Sequence, residues 1–442
     1  MRLKQVSFAS FMLALALLCA SCANHRLVPE QARSAADPAT EVASPQIVLE
    51  FWHTYSELEK KVFETSVLPL FEQQYPNIRI HPVQKDYTEQ LKMNILAAVA
   101  DHKQPDIMRM DIIWVPELAK LGVLEELSSL EGFPEIKQQF IGSLIETNRY
   151  QGLYYGLPVN ANTKMAIFNM RLLREAGLQK PPSSFDELVA AQQRLSDKYP
   201  GLSSIGICCA GAWGTLPYFW TFGGKLTDEH YTKASGYLDS PESMAAIRKL
   251  KLWFDEGKIS PSILTGEPGT WDGILKGDLL MIDEAHWFYS VNAFGDNESL
   301  LQDTEPGLIP DDAGAGTSII GGENLVLFNS SRHKEAAWRF MRWMMTEEPQ
   351  SIMAETGLIP TVRSLQYSNE NNAVENNVKQ HKWFAPYIEQ LARALPRPPV
   401  STWTQIDDEY ARMIEYILSD ELPLEQAVQQ SVKRIDALLQ GQ

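Results

Sequence analysis

The chain has 442 residues, 44% of them apolar and 21% charged, which is ordinary for a globular protein and too long for one core. About two or three domains are expected. With 56 acidic against 39 basic side chains the formal charge is −17, which excludes nucleic acid and an anionic membrane surface as electrostatic partners.

The N-terminus carries Arg2 and Lys4, then a short apolar run from Phe8 to Leu18, too short to span a bilayer. The CASC that follows, Cys19 to Cys22, resembles the lipobox of bacterial lipoproteins, with Cys19 standing where leucine is usual. The resemblance implies a signal peptide over residues 1–21 and lipidation of Cys22; cleavage by an ordinary signal peptidase is the alternative. Residues 22–45, rich in Ala, Ser, Pro and Glu without a period, read as a flexible tether. Only Cys208 and Cys209 then remain in the body, with no CxxC or Cys/His spacing, so neither a disulfide framework nor a metal site is expected. Adjacent cysteines strain the peptide between them when bridged, so two small buried thiols are expected there.

The body opens with a strand, Gln46 to Trp52, followed by a helix over 57–75 that Pro69 should bend or break. Asn77 to Gln84 is a second strand. The helix after it carries Leu91, Ile95, Ala98 and Val99 on one stripe. Pro105 to Asp111 is a third strand, and a short helix closes at Gly122. This alternation predicts an α/β fold with parallel strands, in which ligands sit beyond the carboxyl ends of the strands. Those ends are Trp52 to Tyr55, Asp86-Tyr87, and Asp111 through Trp114, each with an aromatic and a polar group. Tyr154 to Asn169 is extended. Ser184 with Glu187 forms a capping box, and Ser240, Pro241 and Gly257 bracket another helix. LLMIDEAHWF holds a strand and an aromatic cluster, and TSIIGGENLVLFN a further strand. The C-terminal segment is helical, with Val428, Val432, Ile435 and Leu439 on one face.

Enzyme templates fail: there is no G-x-S-x-G, no G-x-x-x-x-G-K-[ST] and no H-E-x-x-H. Asp407-Asp408 could imitate a glycosidase pair, but acids are abundant. Aromatics carry more. Trp253, Trp338, Trp343 and Trp383 fall in helical patterns and read as core. Trp52, Trp114, Trp213, Trp220, Trp271, Trp287 and Trp403 lie at strand ends, loops or helix starts. A ring covers the apolar face of a sugar while Asp, Asn, Glu and Arg bond its hydroxyls, so as a set these favour a carbohydrate site.

The segments FWHTYSE, FEQQYPNIRI, QPDIMRMDIIWVPELAKLGVLEEL, YYGLPVNANTKMAIFNMRLLREAGL, LLMIDEAHWF, GGENLVLFNSSRHKEAAWRFMRWM and GLIPTVRS, in this order, resemble the solute-binding proteins of carbohydrate ABC importers, the maltose-binding-like branch. The resemblance implies a two-lobed periplasmic-binding-protein-like fold, each lobe a mostly parallel sheet flanked by helices, with the ligand clamped between. Lobe one would be 46–157 plus 318–368, lobe two 158–317 plus 369–442, with hinges near Pro158 and Gly321-Gly322. It implies ligand contacts from Trp52, His53, Tyr55, Asp111, Asn160, Asn162, Trp287, Gly322, Glu323 and Trp403. In ICCAGAWGTLPYFWTFGG, Trp213, Tyr218 and Trp220 are the expected platforms from lobe two, and Arg397 could face the cleft.

The function expected is a lipid-anchored extracytoplasmic receptor that binds a sugar and delivers it to the membrane subunits of an ABC importer. It would be a monomer without enzymatic activity, cofactor, metal or nucleic-acid partner. The alternatives are a secreted carbohydrate-active enzyme with a carboxylate pair, and a binder of a charged or phosphorylated sugar.

Overall fold

The computed structural model describes residues 46–292, 302–312, 314–367, 373–381 and 383–441. The expected signal peptide, Cys22 and the tether lie outside the described residues. In chain order the strands are β1 (Ile47–His53), β2 (Ile78–Gln84), β3 (Ile107–Asp111), β4 (Arg149–Tyr150), β5 (Leu153–Tyr154) and β6 (Gly156–Thr163). They continue with β7 (Met165–Asn169), β8 (Ser203–Gly206), β9 (Leu279–Glu284), β10 (Thr304–Gly307), β11 (Ser318–Leu327) and β12 (Ala394–Leu395).

Two sheets result. The first runs β12-β11-β3-β1-β2, with β6 also paired to β11; the second runs β10-β7-β9-β8. Strands β1, β2 and β3 are parallel, as the strand–helix alternation requires. The expectation of mostly parallel sheets stops there. Strand β11 runs antiparallel to β3 and β6, and β7 runs antiparallel to β9 and β10. These strands are the ones through which the chain passes from one sheet to the other, and outgoing and returning segments point in opposite directions. The change of sheet falls at Lys164, between β6 and β7, later than Pro158. The return spans the segment between β10 and β11.

Alternation on each strand fills both faces. In β3, Ile107 packs with Phe51, Phe63, Phe71 and Phe340 on one face, while Met108 and Met110 meet Leu91, Ile95 and Leu118 on the other. In β7, Phe168 joins the cluster holding Trp253 and Tyr410, and Ile167 the one holding Phe288 and Phe384. Trp253, Trp338, Trp343 and Trp383 are all buried, as their helical spacing predicts.

The helix expected over 57–75 starts with a full capping box, Ser56 and Glu59. It then loosens into a π-helical stretch, Phe63–Val67, before Leu68–Gln74. Pro69 has no N–H to give Thr65, so the register slips at that point. At the 185–195 helix the predicted box is half formed. The Ser184 hydroxyl accepts from Glu187 N, but the Glu187 carboxylate accepts from Ser183 N at 2.9 Å.

Candidate functional site

On the side of the first sheet the polar groups come from three adjacent strands, at the end of β3 and the middle of β6 and β11. Glu323 of β11 stands opposite Asp111 of β3 and Asn160 of β6. Arg109, two residues before Asp111 and only 2% exposed, donates to Glu323 Oε2 at 2.9 Å, to Asn160 Oδ1 at 3.0 and 3.2 Å, and to Thr54 Oγ1 at 2.7 Å. Its guanidinium also lies over the Tyr55 ring at 4.4 Å. Burial pushes the Glu323 carboxyl up, against the pull of Arg109. Asp111 accepts from the Tyr87 hydroxyl at 2.6 Å and from Ile113 N at 3.0 Å. Tyr87, 57% exposed, stacks on Trp114 with centroids 5.9 Å apart.

On the side of the second sheet the helix Ala212–Thr221 presents Trp213. Pro217 lies inside this helix, four residues after Trp213, and cannot donate to its carbonyl. Lys164 Nζ takes that place at 3.0 Å. The ammonium also pairs with Asp283 Oδ2 at 2.6 Å, and both side chains are sealed from solvent. Tyr218 donates to the other Asp283 oxygen at 2.9 Å. Burial works to lower the Lys164 pKa, but the charge of Asp283 outweighs it and the ammonium is held protonated. Asp407 Oδ1 accepts from Ala212 N at 2.7 Å, a carboxylate at the start of the helix. Trp213 is therefore clamped through its backbone, leaving its half-buried indole to stack on Trp287, 6.1 Å away and 26° from parallel. The indole edge lies on Gly321: a Cβ there would meet Trp213 at 3.1 Å and collide with Asn162 Oδ1. Gly322 has φ +133, and its Cβ would strike the Asn160 carbonyl, so only glycine fits.

Residues carried by the two sheets meet across this region. Arg397 Nη2 lies 3.7 Å from Asp111 Oδ1, and its guanidinium is 5.5 Å from the Trp213 ring. His286 Nε2 lies 3.7 Å from Glu59 Oε1 while its Nδ1 meets the Tyr387 hydroxyl at 3.1 Å. Lys92 reaches Thr404 Oγ1 at 3.0 Å. Beside the Trp213–Trp287 stack, Arg397 Nε and Asn162 Oδ1 are buried and make no hydrogen bond. A donor, an acceptor and a ring face thus converge, which is what a hydroxylated ring with an apolar face requires.

The expected contacts divide. Asp111, Asn160, Asn162, Trp213, Trp287, Gly322, Glu323 and Arg397 gather here. Tyr218 does not act as a platform: it is fully buried and its hydroxyl is spent on Asp283, because it follows Pro217 on the core face of the helix. Trp403 is 1% exposed within the core of the second sheet. Trp52 packs with Leu91 and Met108, its indole N–H on Glu50 at 2.6 Å and Lys85 over its ring at 3.8 Å. His53 and Tyr55 turn into the aromatic cluster with Phe51 and Phe63. There burial lowers the His53 pKa to about 4. Trp220 lines a separate groove. The cysteines are free, but not the buried pair expected: Cys209 is exposed and Cys208 half-buried, with sulfurs 3.1 Å apart. They follow β8, close enough to Lys164 to feel its charge.

Arg109, Lys164 and Glu59 were missing from the expected contacts, while Tyr87 was named only as a strand end. A single arginine in the apolar IMRM of β3 and a single lysine between two buried strands were the available signals, since a charge in such surroundings demands a partner.

Residues 54–351 match the bacterial extracellular solute-binding protein family. The chain is 29% identical over 334 residues to a maltotriose-binding protein of Pyrococcus abyssi, covering 73% of this chain and 68% of that one. Among solved structures it resembles the GacH receptor of Streptomyces glaucescens, solved unliganded and with acarbose (TM-score 0.76, 22% identity, 90% of this chain and 99% of that chain). It also resembles a cyclic alpha-maltosyl-1,6-maltose binding protein of Arthrobacter globiformis (TM-score 0.76, 21% identity, 90% and 100%). The fold is the two-lobed one of periplasmic binding proteins, and the chain belongs to the bacterial extracellular solute-binding proteins.

Proposed function

We propose that the protein is the receptor of a carbohydrate ABC importer, binding a neutral oligosaccharide between its lobes and delivering it to the importer's membrane subunits. It acts as a monomer, anchored outside the cytoplasm through lipid on Cys22, and performs no chemistry on the sugar. The reading rests on one observation. The stacked Trp213 and Trp287 are flanked by an unpaired donor, Arg397 Nε, and an unpaired acceptor, Asn162 Oδ1. The names of its relatives, which bind maltotriose, acarbose and a cyclic maltosyl-maltose, support the same class. Because Asp111 faces Arg397, the guanidinium is partly neutralised, which favours an uncharged sugar over a phosphorylated one. Within this reading the lobes, expected as 46–157 plus 318–368 and 158–317 plus 369–442, are hinged where the chain changes sheet, at Lys164 and in the segment leading into β11.

The test is titration of the protein without its tether against di- to heptasaccharides, followed by tryptophan fluorescence and calorimetry. A saturable change with unaltered sugar recovered afterwards is expected. Turnover of the sugar, or silence across neutral sugars with a response to sugar phosphates, would overturn it.

A further inference from the structure

A groove of 610 Å³ lies on the side of the second sheet, apart from the cleft, and nothing in the sugar-delivery reading uses it. Its walls are the end of the helix Ala212–Thr221, the loop 223–237 and the strap after β12. Three rings line it, Trp220, Tyr231 and Tyr237, each half-buried and so offering surface to a ligand. Leu395, 45% exposed, adds an apolar edge, and Thr227 and Glu229 supply hydroxyl and carboxylate at the rim.

The groove is built, not a gap between mobile loops. Gly223 has φ +89, and a Cβ on Gly224 would collide with the Phe219 ring, so the double glycine is what lets the chain turn across that ring. Asp228 then ties the loop, its Oδ1 accepting from Thr232 N at 2.6 Å and Lys233 N at 3.1 Å and its Oδ2 from the Thr232 hydroxyl at 2.7 Å. This holds Tyr231 at φ +56, a conformation a bulky residue adopts only when its surroundings impose it. Asp436 accepts from Ala234 N at 2.6 Å and fixes the loop to the last helix. Rings held in this way lose little freedom on binding.

We propose that this groove is a second saccharide site, taking a stretch of neutral polysaccharide outside the cleft. Rings interleaved with hydroxyl and carboxylate are the chemistry of a sugar chain. Lys225 and Glu229 both line the groove, so it carries no single sign of charge, which suits a neutral polymer. Trp213 and Trp220 lie seven residues apart on one helix, two turns or about 10 Å along its axis and on the same face. Pro396 and Pro398 line the groove while Arg397 between them reaches Trp213 and Asp111. The groove and the cleft therefore share a helix and a strap. Apart from Leu395 of β12, at the edge of the first sheet, the groove residues come from the side of the second sheet. The groove would hold a polymer near the receptor before a shorter piece enters the cleft; this rests on the sugar-delivery reading above.

Electrophoresis of the purified protein through gels containing amylose, xylan, galactomannan or mixed-linkage β-glucan tests it, alongside titration with short oligosaccharides. The wild type should be retarded in at least one gel. Trp220→Ala with Tyr231→Ala should weaken retardation about tenfold or more and leave short-sugar affinity within about twofold. Tyr231→Gly alone should also weaken it, and because glycine relieves the positive φ this variant cannot fail through backbone strain. Retardation that survives these changes, or a wild type that binds short sugars but is retarded by no gel, overturns the proposal. Retardation without any short-sugar binding would instead refute the cleft reading and leave the groove standing.

Discussion

Trp213 and Trp403 are both tryptophans at the start of a helix, yet the structure assigns them opposite duties, and alanine at each separates them. The Trp213 indole is half-buried and stacks on Trp287, and in the proposed sugar-binding reading its exposed face is the platform. A pyranose laid on that face covers about a third of the roughly 200 Å² a tryptophan can bury. At ~25 cal/mol/Å² that is about 1.7 kcal/mol. Ring-face complementarity adds about 0.5–1 kcal/mol, so Trp213→Ala should raise Kd by roughly 30- to 100-fold. Stability should fall little, because the backbone at this position stays clamped by Lys164. Trp403 is 1% exposed in the core, so Trp403→Ala should cost about 3–5 kcal/mol of stability with unchanged affinity in the folded fraction. Calorimetry with the best oligosaccharide, paired with urea unfolding of each variant, reads both quantities. The reasoning is refuted if Trp213→Ala binds as tightly as wild type, or if Trp403→Ala loses affinity while keeping its stability.

Four further outcomes follow from the same geometry. Lys164→Met leaves Asp283 buried without its counter-charge and the Trp213 carbonyl without a donor, so about 3–5 kcal/mol should be lost in urea unfolding, with sugar binding weakened as well. Gly322→Ala places a Cβ against the Asn160 carbonyl at φ +133, and a loss of at least about 2 kcal/mol is expected from thermal or urea melts. Because His53 is held neutral, with a pKa of about 4 against 6.5 when unfolded, its contribution is complete above pH 6.5 and is lost as pH falls toward 4. That loss is about 3 kcal/mol, and His53→Phe should flatten this part of a stability–pH curve. Hydrogen bonding from the Cys208 thiol lowers the Cys209 pKa, and Cys209 is the exposed one, so iodoacetamide near pH 7.5 should label Cys209 well before Cys208 in peptide mass maps.

Much of the fold was legible because period and punctuation agreed. The stripe at Leu91 and Ile95, the strand ending at Asp111, and the Ser240 cap each appear where spacing places them. The site was legible in part. Strand ends named the right loops, but which ring on a strand end faces the cleft depends on the phase of alternation. In WHTY that phase sends Trp52 to one face of the sheet and His53 to the other, and neither side chain joins Asp111. In AWGTLPYFW the rings at 213, 218, 219 and 220 do not by themselves say which face each takes. The helix buries Tyr218 and Phe219 and leaves Trp213 and Trp220 half-exposed two turns apart.

Two of the buried ion pairs explain why the remaining residues could not be read from local pattern. Arg109–Glu323 and Lys164–Asp283 each join segments far apart in sequence, and each sits beside one of the strands that pass between the sheets. Two well-packed apolar residues could give as much stability in either place. What an apolar pair could not give is a donor aimed at the Trp213 carbonyl, or a guanidinium holding Asn160 and Glu323 beside Asp111. Pro217 makes the first of these necessary: once the helix lacks that N–H, only a charge from the crossing strand restores the bond and fixes the indole. The proline and the lysine are therefore one device. Replacing Pro217 with alanine should make the helix self-sufficient at Trp213 and reduce the cost of Lys164→Met, a coupling that a double-mutant cycle would measure as about 1 kcal/mol. Strict additivity would show that Lys164 serves Asp283 alone.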